Sequence, residues 1–416
     1  MSGTLQALFS GLPVPEADQI FALTARFQAA KKAFEDGSLD KKPFTLGVGK
    51  FANAEGKTPL MQSVAKALSA QLENRIGDNP SGGYQPIVGA PQFRSAVEEL
   101  VLGDSLASEL RGKGVLASCQ NLGGTGANFV QGAFLKKLGI DSIALSNPTW
   151  GNHKKIFPFA GLQTSFYRYY DSEQSVITYE EMRQAIRDLP SGTAINFHGC
   201  CHNPTGADLN NEQWKEICEE VKDKGLVAVF DIAYAGFGNG FEEDLFGVRW
   251  FVEQQVPTLI AFSFSKIASL YEERMGACIV ALPEGYSDQS IVEGTLASIL
   301  RPSISNPPAL VSRALTQVLT DSALKAGWMK ELSEVSAEIK EGAKLLAAGL
   351  EKHGVKHGGI TERNGMFAIL PFSPEQVKRL EEEEQVYMLP NGRVNVAAVK
   401  EHNASEIAER MAKVAG

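Results

Sequence analysis

Between residues 59 and 76 apolar side chains recur three and four positions apart, at Leu60, Met61, Val64, Leu68, Leu72 and Ile76. That spacing predicts a helix with one buried face. A second helical run carries Phe93, Val97 and Leu100 and opens on Pro91, whose fixed φ and missing N–H suit a first helical turn. In the middle of the chain the pattern changes. Short apolar runs at 142–145, 194–197, 226–230, 258–262 and 277–281, bounded by Gly, Asn or Pro, alternate with amphipathic segments. Strands that are short and wholly apolar are those covered on both faces, so the alternation predicts βαβ units and a mostly parallel sheet sandwiched by helices. After Asn306 the rhythm stops: Val311, Leu315 and Leu319, then Leu332, Ile339, Leu345 and Leu350, predict a long helical stretch reaching Gly354. The rest reads as a smaller α+β unit, with a strand at 366–370, a charged helix at 375–384 and a last helix from Ser405. The acidic run Glu381-Glu382-Glu383-Glu384 is read as a solvated helix end.

A chain of 416 residues has room for two to three domains and a substantial core. With 44% hydrophobic and 21% charged residues it folds by burial alone. The 40 basic against 49 acidic side chains give a net charge of −9, so no global positive field recruits a phosphate backbone and nucleic acid is not an expected partner. No apolar run approaches the length that spans a bilayer, and the first residues have neither a basic secretory n-region nor the arginines of a transit peptide. The five cysteines, Cys119, Cys200, Cys201, Cys218 and Cys278, are odd in number and form no C-x-x-C pair. That usage indicates neither a disulfide framework nor a zinc site and fits a reducing cytoplasm.

Three motif matches fail on context. Gly47-Val48-Gly49-Lys50-Phe51-Ala52 leads into a turn at 53–57 and not into the helix a pyrophosphate needs. Ser263-Phe264-Ser265-Lys266 has the S-x-x-K spacing of penicillin-binding enzymes without their downstream motifs. His198 and His202 lie four apart, but on a strand running into the turn Asn203-Pro204-Thr205-Gly206, where helical metal spacing does not apply. What remains clusters at the C-terminal ends of the predicted strands, where open α/β sheets place their ligand crevice. Lys266 beside Ser263 and Ser265, in a mainly uncharged segment, is suited to Schiff-base formation. Arg274, hydroxyls and the helix start at Gly123-Gly124-Thr125-Gly126 suit a dianionic phosphate. Asp231, at a buried strand end, needs a cationic partner such as a pyridinium nitrogen. Asn203 and Tyr234 suit a phenolate oxygen, and Trp150 offers a ring face. Taken singly, each residue fits a surface lysine, a salt bridge, a turn or a core position equally well.

Together, in order and spacing, they resemble the class I, fold-type I pyridoxal-phosphate aminotransferases, most closely the aspartate and aromatic amino acid aminotransferases. The landmarks run nearly end to end: Leu46-Gly47-Val48-Gly49, Tyr84-Gln85-Pro86-Ile87, Gly124-Thr125-Gly126-Ala127, Asn147-Pro148-Thr149-Trp150, His198 to Gly206, Asp231-Ile232-Ala233-Tyr234, Ser263 to Lys266, Tyr271 to Gly276, Arg301, Asn364-Gly365-Met366-Phe367 and Gly392-Arg393-Val394-Asn395-Val396. The resemblance implies pyridoxal 5'-phosphate on Lys266, which also shuttles the proton. It implies Asp231 on the ring nitrogen with His153 behind it and His198 nearby, Asn203 and Tyr234 on the phenolate, and Trp150 and Ala233 on the two ring faces. Gly124, Thr125, Ser263, Arg274 and a partner subunit's copy of Tyr84 would take the phosphate. Arg393, helped by Asn203 and the backbone near Gly49, would grip the substrate α-carboxylate, while Arg301 crosses a homodimer interface to a side-chain carboxylate. The implied reaction is ping-pong transamination of aspartate and 2-oxoglutarate to oxaloacetate and glutamate, with the aromatic enzyme as alternative and, from another class, a non-catalytic cofactor-binding regulator. The implied division is an N-terminal arm and first part of the small domain at 1–48, a large domain at 49–326, and the rest of the small domain at 327–416. The chain departs from the family pattern at Ile267-Ala268-Ser269, at Lys50, and at Gly123, where some members carry a serine.

Overall fold

The computed structural model describes residues 10–12, 18–76, 82–285 and 288–415. The first nine residues, on which the reading of a leader-free N-terminus partly rests, lie outside them. A seven-stranded sheet forms the centre. In chain order its strands are β1 (Leu116–Leu122), β2 (Ser142–Asn147), β3 (Gln163–Arg168), β4 (Ala194–His198), β5 (Val227–Ile232), β6 (Thr258–Ser263) and β7 (Met275–Ala281). Their spatial order is β1-β7-β6-β5-β4-β2-β3, and every pairing is parallel except the two made by β7, which runs antiparallel to β1 and β6. The five predicted strands are β2, β4, β5, β6 and β7.

Periodicity missed the two sheet edges, for opposite reasons. β1 is buried over nearly its whole length yet carries Ser118, Gln120 and Asn121. Their polar groups are met inside the protein, Ser118 Oγ donating to Glu98 at 2.5 Å and Gln120 Nε2 to the Pro308 carbonyl at 2.7 Å. β3 is a half-exposed edge strand with little apolar signal.

Helices Gln62–Ile76 and Pro91–Leu102 match the predicted runs, the second with proline in its first turn. The long C-terminal helical stretch is two helices, Leu310–Thr320 and Ser322–Lys352. Asp321 divides them, because its carboxylate accepts from the N–H groups of Ala323 and Leu324 at 2.9 Å and so starts a new helix. A smaller layer packs on Ser322–Lys352. It comprises the parallel pair Phe44–Thr45 with Val386–Tyr387, the antiparallel pair Phe367–Ile369 with Arg393–Asn395, and the helices Pro374–Glu384 and Glu401–Ala415. The acidic run is not the wholly solvated helix end that its composition predicts. Glu384 is buried, its carboxylate 2.9 Å from Lys41 Nζ and 3.6 Å from Lys413 Nζ, and Glu381 pairs with Arg26. Helical periodicity places a carboxylate on a face but does not reveal which other segment supplies its cation.

Candidate active site

The C-terminal ends of β4, β5 and β6 and the N-terminus of helix Gly123–Lys137 enclose a cavity of about 150 Å³. Gly124, Thr125, Trp150, Asn203, Asp231, Ala233, Tyr234, Ser263, Lys266 and Arg274 line it, ten of the sequence-predicted residues, together with His198, Cys200 and Ser265. The helix start has no side-chain cap, so its first N–H groups are free to meet an anion. Gly123 there has φ +67°, and a Cβ on it would lie 2.6 Å from Arg274 Nη2, so a serine at this position would press on the guanidinium. Arg274, itself at φ +54°, donates from Nη1 to Ser265 Oγ and to the Tyr271 carbonyl, both at 3.0 Å. A left-handed arginine is uncommon, and these two bonds hold the fork against the helix start.

Asp231 stands one residue before the end of β5, inside the cavity. Burial pushes its carboxyl up, but the hydrogen bond from His153, with the Lys266 ammonium nearby, outweighs that and holds it below the usual carboxylate range. Its Oδ2 lies 3.0 Å from His153 Nε2, whereas its Oδ1 is buried with no partner. The tautomers behind it follow from one backbone group. Asn203 N–H points at His198 Nδ1 (3.4 Å), so that nitrogen accepts and the proton sits on Nε2, which donates to Thr149 Oγ1 at 3.0 Å. The Thr149 hydroxyl then donates to His153 Nδ1 at 2.9 Å, and His153 Nε2–H is left to donate to Asp231. Burial, with His153 beside it, lowers the His198 pKa to about 3, so this ring stays neutral and the chain keeps its direction. The ring nitrogens of His202, which the sequence spacing offered to a metal, face Ser146 Oγ at 3.0 Å and Thr205 Oγ1 at 2.8 Å.

Lys266 sits in the short helix Phe264–Ile267, which Ser263 caps, with Nζ 5.0 Å from the Tyr234 ring centroid. Burial lowers its pKa to about 8, Arg274 pushing the same way against Asp231. Burial raises the Tyr234 phenol, which therefore keeps its proton.

Arg393 does not line this cavity but stands next to it. Its guanidinium lies 4.3 Å from the Phe367 ring centroid, and that ring is 6.0 Å from Tyr234. Nη2 donates to the Gly47 carbonyl at 2.7 Å, while Nε is buried without a partner. Burial lowers its pKa to about 10, which leaves it charged at neutral pH. Gly49 lies against the same Phe367 ring, where a Cβ would stand 3.0 Å away.

Tyr84 and Arg301 are not brought to this cavity; both are exposed. They do share one surface: Arg301 Nη1 donates to Asn306 Oδ1 at 3.2 Å, and Asn306 Nδ2 donates to the carbonyl of Gln85, the neighbour of Tyr84, at 2.7 Å. Sequence reasoning gave no role to Thr149, Phe367 or Asn395, which act through contacts with distant segments, nor to Cys200, which lines the cavity. Only the hydroxyl of Ser265, two residues after Ser263, carried a local signal.

A sequence model described as "Aminotransferase class I and II" matches residues 41–411. The aspartate aminotransferase of Escherichia coli K12 is 35% identical over 415 residues, 98% of this chain and 100% of its own length. The aromatic-amino-acid aminotransferase of Paracoccus denitrificans is 35% identical over 405 residues, 96% and 98% of the two chains. Among solved structures, the aromatic-amino-acid aminotransferase from Burkholderia pseudomallei, covalently bound to pyridoxal phosphate, superposes with a TM-score of 0.91 at 34% identity, covering 98% of this chain and 100% of that one. The cytoplasmic aspartate aminotransferase of Saccharomyces cerevisiae gives 0.91 at 30% identity over 99% of each chain. On its sequence, its sheet topology and the residues gathered at its strand ends, this chain belongs to the class I and II aminotransferases.

Proposed function

We propose that the protein is a pyridoxal 5'-phosphate-dependent aminotransferase acting by ping-pong transfer between aspartate and 2-oxoglutarate, giving oxaloacetate and glutamate. One observation carries the cofactor assignment: Asp231 Oδ1 is buried, unpartnered and below its ordinary pKa, in a cavity that also holds a lysine and an uncapped helix start. A buried anion with a vacant oxygen calls for a cationic donor, and a protonated ring nitrogen is one. When bound, pyridoxal phosphate supplies an aldehyde for the amino group and a ring that draws off electrons.

The protein's residues do the rest. Gly124, Thr125, Ser263 and Arg274 would hold the phosphate, and Tyr234 and Asn203 the phenolate oxygen. Trp150 and Ala233 would confine the ring. Lys266 Nζ would anchor the cofactor and carry the α-proton, a task suited to an amine whose pKa lies near neutrality. Arg393 would fix the α-carboxylate with its buried, charged fork. In cofactor-free protein, competitive acetylation should show Lys266 reactivity rising with pH and levelling near its pKa of about 8, while ordinary exposed lysines go on rising beyond. Levelling only at the pKa of an ordinary lysine would contradict the buried amine.

The same reading makes the protein a homodimer. Tyr84 and Arg301 lie outside their own cavity and on a common surface, and would reach a partner's site. It also assigns 1–48 and 327–416 to a small domain beside a large one at 49–326. The pairing of Phe44–Thr45 with Val386–Tyr387 supports the first assignment, although the helix Ser322–Lys352 crosses the second boundary. No described helix is long and apolar enough to cross a membrane, and the five cysteines are unpaired, which suits the cytoplasm.

Relatives carrying the aspartate and the aromatic names are equally similar, so substrate choice rests on Arg301. Arg301→Asp should lower kcat/KM for aspartate by about 3 kcal/mol, roughly a hundredfold, through loss of a charged fork and addition of a repelling anion. The loss for phenylalanine should be far smaller. An unchanged ratio of the two constants would turn the assignment toward the aromatic alternative.

A further inference from the structure

Residues 47–50 form a strap without regular secondary structure, fastened to the strand that carries Arg393. Asn395 N–H donates to the Leu46 carbonyl at 2.6 Å, and Arg393 Nη2 to that of Gly47 at 2.7 Å. Asn395 Nδ2 donates to the carbonyls of Val48 at 2.6 Å and Lys50 at 2.9 Å. On the far side Phe51 N–H donates to the Tyr271 hydroxyl at 2.9 Å. The peptide unit that follows Lys50 is thus held on both edges, one residue from Gly49, which rests on the Phe367 ring beneath the Arg393 guanidinium. Its side chain is exposed, and among the described residues no carboxylate pairs with its ammonium. Other lysines of this acidic chain, Lys41, Lys113, Lys136, Lys215 and Lys400 among them, do lie within ion-pair distance of a carboxylate.

We propose that Lys50 determines specificity: it is a cation of the same chain, carried on the strap that Arg393 and Asn395 hold, that favours substrates with a second carboxylate. The inference rests on the transaminase reading and deepens it. Arg301 would have to be supplied by a partner subunit, whereas Lys50 acts from within. A point charge on a flexible stem adds attraction for an anionic side chain without demanding bidentate geometry, and it neither helps nor hinders an uncharged one.

The experiment is to measure kcat and KM of the holoenzyme with L-aspartate, L-alanine and L-phenylalanine in the parent, Lys50→Met, Lys50→Glu and Lys50→Arg. Alanine presents the α-carboxylate and amine without a side-chain charge. In Lys50→Met, kcat/KM for aspartate should fall about fivefold, the size of a partly exposed ion pair, through a higher KM and an unchanged kcat. Lys50→Glu should fall further and Lys50→Arg should recover most of the parent value. The constants for alanine and phenylalanine should stay within about twofold in every variant. Added salt should shrink the aspartate preference of the parent more than that of Lys50→Met, which keeps only the Arg301 charge. Equal losses for aspartate and alanine would show that Lys50 only shapes the strap, and no loss with aspartate would show that it stays in solvent; either overturns the proposal. A parent that turns over none of the three amino acids would remove the transaminase reading, and this proposal with it.

Discussion

Lys266→Ala should abolish turnover, a loss of about 10,000-fold or more, because one side chain is asked both to bond the cofactor and to move the substrate proton. The fold should survive. The short helix Phe264–Ile267 is anchored by the buried side chains of Phe264 and Ile267, and removing a half-buried amine relieves a desolvation cost. The phosphate-holding group, Arg274 with Ser265 Oγ and the uncapped helix start, does not depend on Lys266, so the variant should still retain pyridoxal phosphate without a covalent bond. Two measurements decide this. Borohydride reduction of the parent followed by peptide mapping should place the label on Lys266, and the same treatment of the variant should place none. A label on another lysine, or a variant with more than about a hundredth of parental activity, would remove Lys266 from the chemistry.

Asp231→Ala should slow the proton-transfer step by about a thousandfold, near 4 kcal/mol, while cofactor still binds. The carboxylate is needed most when electrons are drawn toward the ring nitrogen, so its loss should appear in single-turnover rates and less in KM. The substitution also strands the His153 Nε2–H in a buried site, which should lower the thermal midpoint; Asp231→Asn keeps an acceptor oxygen and separates the two effects. Because Asp231 is held below the usual carboxylate range, the parent should show no loss of rate from this group as the pH falls from 8 to about 5. Its protonation, and the loss of its contribution, would come only below that range. Single-turnover rates of Asp231→Ala within about tenfold of the parent, some 1.4 kcal/mol, would sink the electrostatic role.

Much of the molecule was legible in one dimension. Five of the seven sheet strands announce themselves as short apolar runs, because a strand covered on both faces tolerates few polar side chains. The glycine-rich turn into Gly123–Lys137 and the hydroxyls preceding Lys266 are local signals of a helix start and a capped turn. In β1, Ser118 and Gln120 hide a buried strand because their partners, Glu98 and Pro308, come from elsewhere in the chain. Asp321 splits a helix that periodicity runs together, since a cap interrupts the backbone without disturbing the apolar spacing. Glu384 looks solvated until Lys41 and Lys413 arrive from distant segments.

The sequence by itself determined which chemical groups stand at strand ends, since strand, turn and helix start are set by neighbours a few residues apart. It also determined the family, through the order and spacing of those groups. Tertiary structure alone decided their electrical state. Asp231 is charged because His153, oriented through Thr149, His198 and the Asn203 backbone, outweighs its burial. Lys266 and Arg393 are shifted downward because folding removes water from around them. The placement of Arg393 over Phe367, the strap of 47–50 beside it, and the exposure of Tyr84 and Arg301 on one surface were likewise settled only by folding. These properties depend on distance and local dielectric between residues tens to hundreds of positions apart, and a linear sequence holds no measure of either.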